Sequence, residues 1–408
     1  MKIFGCRTNQ FDGEALALSL DPERYERVNT EAKARVVIIV GCAVTHRAER
    51  DVRQYVRKNR REDPGKIIVL AGCSAELNPP EGIDRIIPMA ARDSIQSIIE
   101  GRLRENNEIG ESARLFFRPV VEMLDRTRVY VKVQEGCSHR CSYCIVPTLR
   151  GPSRSLPLET LRHHVRDLVA RGVPELILTG TYLGGWGRDL SPKMSLPVLW
   201  NVMDQVGGEY RWRMSSIEPW AFKNSWFEKL RDCTRLCPTF HLPLQSGSSK
   251  ILKAMRRPIQ PARFAEIVSR IRDIFPDSRI GTDLIVGYPG ESESDMEETM
   301  TFLHQMQLDY HHVFTFSVRP GFTEMEGTVP DREVHRRMSM IRRFDLASRE
   351  AEGRRRLGNV LQVLSAGRAR GIDIYNHWVD LDRQVEEGMF VRVRITGSQG
   401  DRLLGVVV

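Results

Sequence analysis

Nowhere in this chain of 408 residues does an apolar run approach the eighteen or so residues needed to cross a bilayer. Its first residues, MKIFGCRTNQ, have neither the basic start nor the apolar stretch of a secretory leader, so the chain reads as cytoplasmic with no membrane partner. Cysteine is scarce. Eight in a chain of this length are too few for a secreted disulfide scaffold, which leaves metal or redox chemistry as the reading of those present. Acidic residues are outnumbered, 53 against 61 Lys and Arg, and the formal charge of +8 suits a polyanionic partner, most simply nucleic acid. Mild basicity is also common in enzymes with no such partner. An apolar share of 41% is enough for a real core, and the length allows two or three domains.

The cysteines are few but placed in pattern. Residues 135–151, EGCSHRCSYCIVPTLRG, put Cys137, Cys141 and Cys144 in a C-x3-C-x2-C array directly after the apolar run Val129–Val133. Three thiolates on one tight loop can hold three irons of a four-iron cluster and leave the fourth iron open to a small molecule. The alternative is a zinc loop with His139 as fourth ligand, but zinc motifs usually come as two pairs and no second pair follows. The spacing, with Tyr143 just before the last cysteine, resembles the radical S-adenosylmethionine (radical SAM) signature.

Residues 1–100 read as alternating strands and helices, with strands at Lys2–Phe4, Val36–Val40 and Ile67–Leu70 and helices at Asp12–Leu20 and Arg47–Arg61. That pattern predicts a small open α/β unit with a parallel sheet. Each strand ends in the same dipeptide: Gly5-Cys6, Gly41-Cys42 and Gly72-Cys73. The carboxyl ends of parallel strands share one edge, so these three thiols should converge as a second three-cysteine metal site. The plainer alternative is three small buried cysteines.

Residues 101–127 read as a helix end and a connector. From 128 to 320 the pattern predicts six strand–helix units, with strands beginning near Val129, Glu175, Arg211, Phe240, Ile280 and Tyr310. Helical patterns include Leu158–Ala170, Ala221–Arg231 and Glu293–Gln307. Such alternation argues for a partial (β/α)6 barrel with its chemistry at the carboxyl ends of the strands, where the three-cysteine loop also falls. Other strand ends carry polar or glycine residues. On the radical SAM resemblance, Thr179 and Gly180 would meet the amino-acid part of SAM, Ser216, Glu218 and Gln245 its amino or ribose groups, and Gly287 its adenine. Taken singly, each has an ordinary loop role as its alternative.

Residues 321–357 contain a long charged helical stretch, with Met338, Ile341, Phe344 and Leu346 as its apolar face and a wet basic face that RNA contact would use. Residues 358–408 read as a small all-β barrel with strands at Asn359–Leu364, Asp373–Val379, Phe390–Thr396 and Leu403–Val408. Basic residues and the aromatics Tyr375, Trp378 and Phe390 suit single-stranded or looped RNA, with a protein-interaction module as the alternative. Cys233 and Cys237 read as structural, since Pro238 ends any helix that would pair them.

Taken together, GCRTNQ, GCAVT, AGCSAE, GCSHRCSYCIVP, RGPSRS, SSIEP, HLPLQSGS, TDLIVGYPGE and SVRPG resemble the methylthiotransferase family of radical SAM enzymes over nearly the whole chain. The resemblance implies three domains: 1–118 with an auxiliary cluster, 123–353 as the radical SAM barrel with a trailing helix, and 354–408 as a TRAM-like RNA-binding barrel. It implies two [4Fe–4S] clusters, one on Cys137, Cys141 and Cys144 and one on Cys6, Cys42 and Cys73, with SAM as cosubstrate. An electron donor such as flavodoxin or ferredoxin and a sulfur source would be needed. The reaction implied replaces a C–H bond by C–S–CH3. Branches of the family act on isopentenyladenosine or threonylcarbamoyladenosine in the tRNA anticodon loop, or on a ribosomal-protein aspartate. LTGTYLGGWGRDL, CAVTHRAERDVRQ and SSIEPW look most like the threonylcarbamoyladenosine branch. Gly41 before Cys42 and the run Gly321-Phe322-Thr323 depart from the family pattern, which bears on substrate choice more than on chemistry. A non-catalytic, metal-containing RNA-binding protein is the alternative from another class.

Overall fold

Three short runs rich in β-branched residues, β1 (Lys2–Ile3), β2 (Val36–Gly41) and β3 (Ile67–Gly72), lie side by side and parallel, with β4 (Arg85–Ile86) added at the far edge. The helices between and after them are α1 (Arg7–Ala17), α2 (His46–Glu62) and α3 (Ile95–Ile99). β2 and β3 are in register from Val36 opposite Ile67 to Gly41 opposite Gly72. The computed structural model describes residues 1–28, 30–43, 46–77, 79–101, 127–319 and 327–408. Most of the expected connector at 101–127 and the expected boundary at 118–123 lie outside these residues, as does Gly321-Phe322-Thr323. Helix α1 starts at Arg7, five residues before the expected Asp12, because Cys6 already stands at its N-cap in extended backbone.

The central domain begins with β5 (Arg128–Glu135), α4 (Val146–Arg150), β6 (Arg154–Ser155) and α5 (Leu158–Ala170). It continues through β7 (Glu175–Gly180), α6 (Leu196–Gln205), β8 (Arg211–Met214), α7 (Asn224–Arg231) and β9 (Thr239–His241). Helices α8 (Ser249–Ala254) and α9 (Pro261–Ile274), β10 (Arg279–Val286), α10 (Glu293–Met306) and β11 (Tyr310–Thr315) complete it. Strands β5, β7 and β8 pair in parallel, as do β9, β10 and β11. A single parallel bridge, Trp212 to Leu236, links the two sets into one open row of six. This is the expected partial barrel. On β10, Leu284 and Val286 pack with Met296 and Leu303 of α10, so by strand alternation Gly281 and Asp283 face the lumen.

The N-terminal domain touches both ends of that open row. Asp12 of α1 pairs with Lys132 of β5 at 2.7 Å, and Glu49 of α2 pairs with Arg319, just past β11, at 2.6 Å.

The last helix, α11 (Asp331–Arg355), packs on β11, with Met338 and Ile341 buried. Leu346 is half exposed, so it is not part of the apolar face assigned to it. The basic face is also less free than expected. Arg336, Arg337, Arg349 and Arg355 are held by Glu293, Glu291, Asp345 and Asp309.

Strands β12 (Val360–Ser365), β13 (Arg370–Asp373), β14 (Trp378–Leu381), β15 (Phe390–Gln399) and β16 (Arg402–Val407) close into a barrel. Only the ends of the expected strand at Asp373–Val379 are extended, in β13 and β14, and its middle, residues 374–377, is the turn between them, with Asn376 at φ 65. The carbonyls in and just before this turn are used elsewhere. Arg211 reaches Ile372 O at 2.7 Å, Thr239 Oγ1 reaches Ile374 O at 3.1 Å, and Arg279 reaches Asn376 O at 3.1 Å. Those donors sit at the amino ends of β8, β9 and β10, so the small barrel caps the end of the central barrel opposite the cysteine loop.

Candidate active site

The three strand-end cysteines of the first domain come together as the topology requires. Cys6 follows β1, and Cys42 and Cys73 directly follow the paired Gly41 and Gly72. Glycine is needed here for close approach. A Cβ on Gly5, at φ +97, would stand 2.3 Å from Cys42 Cβ and 2.7 Å from its Sγ. Asn9, fully buried at the start of α1, donates to Phe4 O and to Gly41 O, both at 3.0 Å, and so ties the loops behind Cys6 and Cys42 together. Cys42 and Cys73 are buried and Cys6 is exposed.

The second set follows β5. Cys137 donates its N–H to Gly151 O at 3.0 Å, Cys144 to Cys141 O at 3.1 Å, and Ser142 to Met255 O at 3.1 Å, so both flanks of the loop are pinned. The Ser142 hydroxyl also meets Tyr288 at 2.7 Å. Burial pushes the thiols up, Cys137 to about 11 and Cys144 to about 12. Ligation would have to drive their protons off. None of the eight cysteines is in a disulfide. Cys233 and Cys237 are buried away from both sets, Cys233 within the main core with its thiol on Lys229 O at 3.3 Å, in keeping with a structural role.

The sets adjoin. Helix α4 begins two residues after Cys144, and Ile145 and Leu149 pack against Ala43 and Cys73. Each set offers three sulfurs, the number that leaves one iron of a four-iron cluster open.

Around the second set stands a polar and aromatic shell. Arg257, almost fully buried, bonds Glu218 at 2.8 Å and the Tyr143 hydroxyl at 2.8 Å, and lies 4.3 Å from the Trp220 ring centre. Burial raises the Glu218 carboxyl above its ordinary value despite Arg257. Trp220 Nε1 donates to His139 Nε2 at 3.3 Å, and His139 meets Tyr182 edge-on at 4.6 Å. One ring nitrogen of His139 is therefore engaged, which weakens it as a fourth zinc ligand.

The residues expected at SAM fall into four groups. Thr179 and Gly180 end β7 beside Lys132 and Gln134, with Thr179 buried. Ser216 and Glu218 follow β8, exposed and partly buried respectively. Gln245 is buried at φ 82, a strained conformation of the kind that clusters at functional sites. Gly287 is turned to α11, where a Cβ would meet Val334 at 2.7 Å, so packing already demands glycine there.

One lumen cluster was not picked out from the sequence. His241 Nε2 lies 2.9 Å and His312 Nδ1 3.2 Å from Asp283 Oδ1, and the Tyr310 hydroxyl lies 3.1 Å from His241 Nδ1. Gly281 lets this happen, because a Cβ there would strike the Tyr310 ring at 2.1 Å. Burial works against the Asp283 charge, but the two histidines outweigh it and hold the carboxyl well below its usual range. His241 and Asp283 fall within the motifs HLPLQSGS and TDLIVGYPGE, so a period-2 reading of β9 and β10 would have brought them to one face.

An open parallel barrel with a three-cysteine loop after its first strand defines a radical SAM protein. The model of the Radical SAM superfamily matches residues 131–303, and that of the uncharacterized protein family UPF0004 matches residues 1–91. The fold is shared with the radical S-adenosylmethionine methyltransferase TsrM of Kitasatospora setae, with a TM-score of 0.51 at 14% identity over 74% of this chain and 69% of that one. Within that class the chain belongs to the methylthiotransferase family, whose cofactors are SAM and [4Fe–4S] clusters. It is 33% identical to the threonylcarbamoyladenosine tRNA methylthiotransferase MtaB of Thermotoga maritima, over 84% of this chain and 80% of that one. To the MtaB of Aquifex aeolicus it is 32% identical over 97% of this chain and 99% of that one. To the tRNA-2-methylthio-N(6)-dimethylallyladenosine synthase of Chloroflexus aurantiacus it is 30% identical over 98% and 90%. Among the described residues no helix is long and apolar enough to cross a membrane.

Proposed function

We propose that this enzyme methylthiolates carbon 2 of N6-threonylcarbamoyladenosine at position 37 of tRNA. The observation that carries the reading is the meeting of two three-cysteine sets across α4, because a radical generator and a sulfur donor must face one substrate atom. Cys137, Cys141 and Cys144 would hold the cluster that binds SAM, and Cys6, Cys42 and Cys73 the auxiliary one. Bound clusters and SAM supply the electron, radical, sulfur and methyl chemistry. The chain's own part is to orient and to exclude water.

In that work Arg257 holds Glu218 and Tyr143 beside Cys141, and Thr179, Gly180, Ser216, Glu218 and Gln245 face SAM. The charged Asp283, braced by His241 and His312, offers the lumen a fixed acceptor for the modified base. The small barrel is the tRNA grip, through exposed Arg392, Arg394 and Arg402, the last paired opposite Trp378, which is 40% exposed. Tyr375 and Phe390 are not available for stacking, since Arg356 covers the first at 3.6 Å and Arg211 the second at 5.2 Å. Reduction needs an outside donor such as flavodoxin or ferredoxin, and turnover needs a sulfur source.

The choice of threonylcarbamoyladenosine over dimethylallyladenosine leans on the relatives of slightly higher identity, so the test is direct. Mass spectrometry of tRNA nucleosides from cells with and without the gene should show loss of 2-methylthio-threonylcarbamoyladenosine alone. Loss of the dimethylallyl derivative instead would move the enzyme to that branch. An unchanged profile would refute a tRNA substrate.

A further inference from the structure

We propose that Arg150 is the positioning residue that couples the two cysteine sites, with its Nε–H donating to the Cys73 sulfur and setting the reduction potential of the cluster that Cys73 would help to hold. This rests on the assignment of Cys6, Cys42 and Cys73 as cluster ligands. Arg150 is the last residue of α4, so it is carried by the loop that bears Cys144. Its guanidinium nonetheless reaches across to the N-terminal domain. Nε lies 3.3 Å from Cys73 Sγ, and Nη2 bonds Asn9 Oδ1 at 2.8 Å and Asp12 Oδ2 at 2.9 Å. Nη1 bonds Glu135 Oε1 on β5 at 2.6 Å.

Every one of these partners is buried, and Arg150 itself is 4% exposed. A planar fork held at three corners has no freedom to turn, so the direction of the Nε–H is fixed by both domains at once. Lys132 and Arg92 also contact Asp12, at 2.7 and 3.0 Å, so this contact set joins three cations to two carboxylates. Such surroundings favour added negative charge on the neighbouring sulfur, which is the direction of reduction. A hydrogen bond to a ligand sulfur acts in the same sense and is one of the levers that set cluster potentials. Asn9 adds a mechanical link, since it holds the loops behind Cys6 and Cys42 while accepting from Arg150. A shift of α4 would therefore be felt by all three auxiliary ligands.

The test uses the full chain with Cys137, Cys141 and Cys144 replaced by Ala, reconstituted anaerobically, so that only the auxiliary cluster remains. About four irons per chain are expected, from the three-thiolate ligand count. Absence of iron would sink the cluster assignment and say nothing against Arg150 separately. With iron present, a redox titration followed by electron paramagnetic resonance compares this protein with Arg150→Lys and Arg150→Gln added. The midpoint should move to lower potential in the Lys variant and further in the Gln variant. An unchanged midpoint in a fully loaded variant would reduce Arg150 to scaffolding. If either variant fails to fold, electron–nuclear double resonance on the reduced cluster with 15N-labelled arginine gives the answer without substitution at Arg150. A coupled guanidinium nitrogen is expected, and its absence would overturn the proposal.

Discussion

At the scale of single residues, the auxiliary site proposed at Cys6, Cys42 and Cys73 depends on what is missing from its backbone. Gly5 has no Cβ because Cys42 occupies that space, and its φ of +97 lies where side chains are strained. Gly5→Ala should therefore cost at least about 1 kcal/mol of stability, from the left-handed backbone alone. It should also displace Cys42 and lower iron content, which a melting curve and an iron assay would read together. Full iron with unchanged melting would contradict the close packing described. The cysteines themselves were legible, since C-x3-C-x2-C and three Gly-Cys strand ends are local patterns. Arg150 was not. Its role arises only when α4 docks on the turn at Cys73, a contact between residues 77 positions apart.

At the scale of elements, the lumen face of β9, β10 and β11 brings His241, Asp283 and His312 together. No one strand carries the cluster, so no single stretch of sequence announces it. Asp283→Asn removes the fixed negative charge while keeping the shape. Product formation should fall roughly tenfold, the kinetic equivalent of about 1.4 kcal/mol for one lost charge-assisted contact. Abortive SAM cleavage should be spared. Paired assays of 5′-deoxyadenosine and methylthio product would show this, and equal losses of both would assign the cluster to SAM instead. The strand expected at Asp373–Val379 shows the opposite limit. Ile374 and Tyr375 have strand composition, yet Thr239 and Arg279 from another domain take their carbonyls, at 3.1 and 3.4 Å. Propensity there yields to a tertiary contact.

At the scale of the whole molecule, three domains are joined by buried ion pairs, and one of these rests on a histidine whose charged form its partners favour. His377 of the small barrel lies 2.9 Å from Asp373 and 2.5 Å from Glu352 of α11, and is 2% exposed. Burial opposes its charge, but Asp373 and Glu352 outweigh this and raise its pKa above the ordinary value of 6.5. A raised histidine adds stability that is complete below about 6.5, its unfolded value, and is lost as pH climbs through the folded value. Melting temperature should therefore fall on raising pH through that window, and the fall should flatten in His377→Gln. A steeper fall in the variant would contradict the pairing. The domain order and barrel classes were legible from strand–helix alternation. Which end of the central barrel the small one caps was not, because Glu175, Arg211, Arg213 and Arg279 read from sequence as ordinary charges at strand starts.

The central claim is that the two cysteine sets divide the chemistry between radical generation and sulfur delivery. Its most direct test is anaerobic turnover of reconstituted Cys42→Ala with tRNA, quantifying 5′-deoxyadenosine and methylthiolated nucleoside in one reaction. Continued SAM cleavage without methylthio product is the predicted result. Methylthio product at the unsubstituted enzyme's level would contradict it.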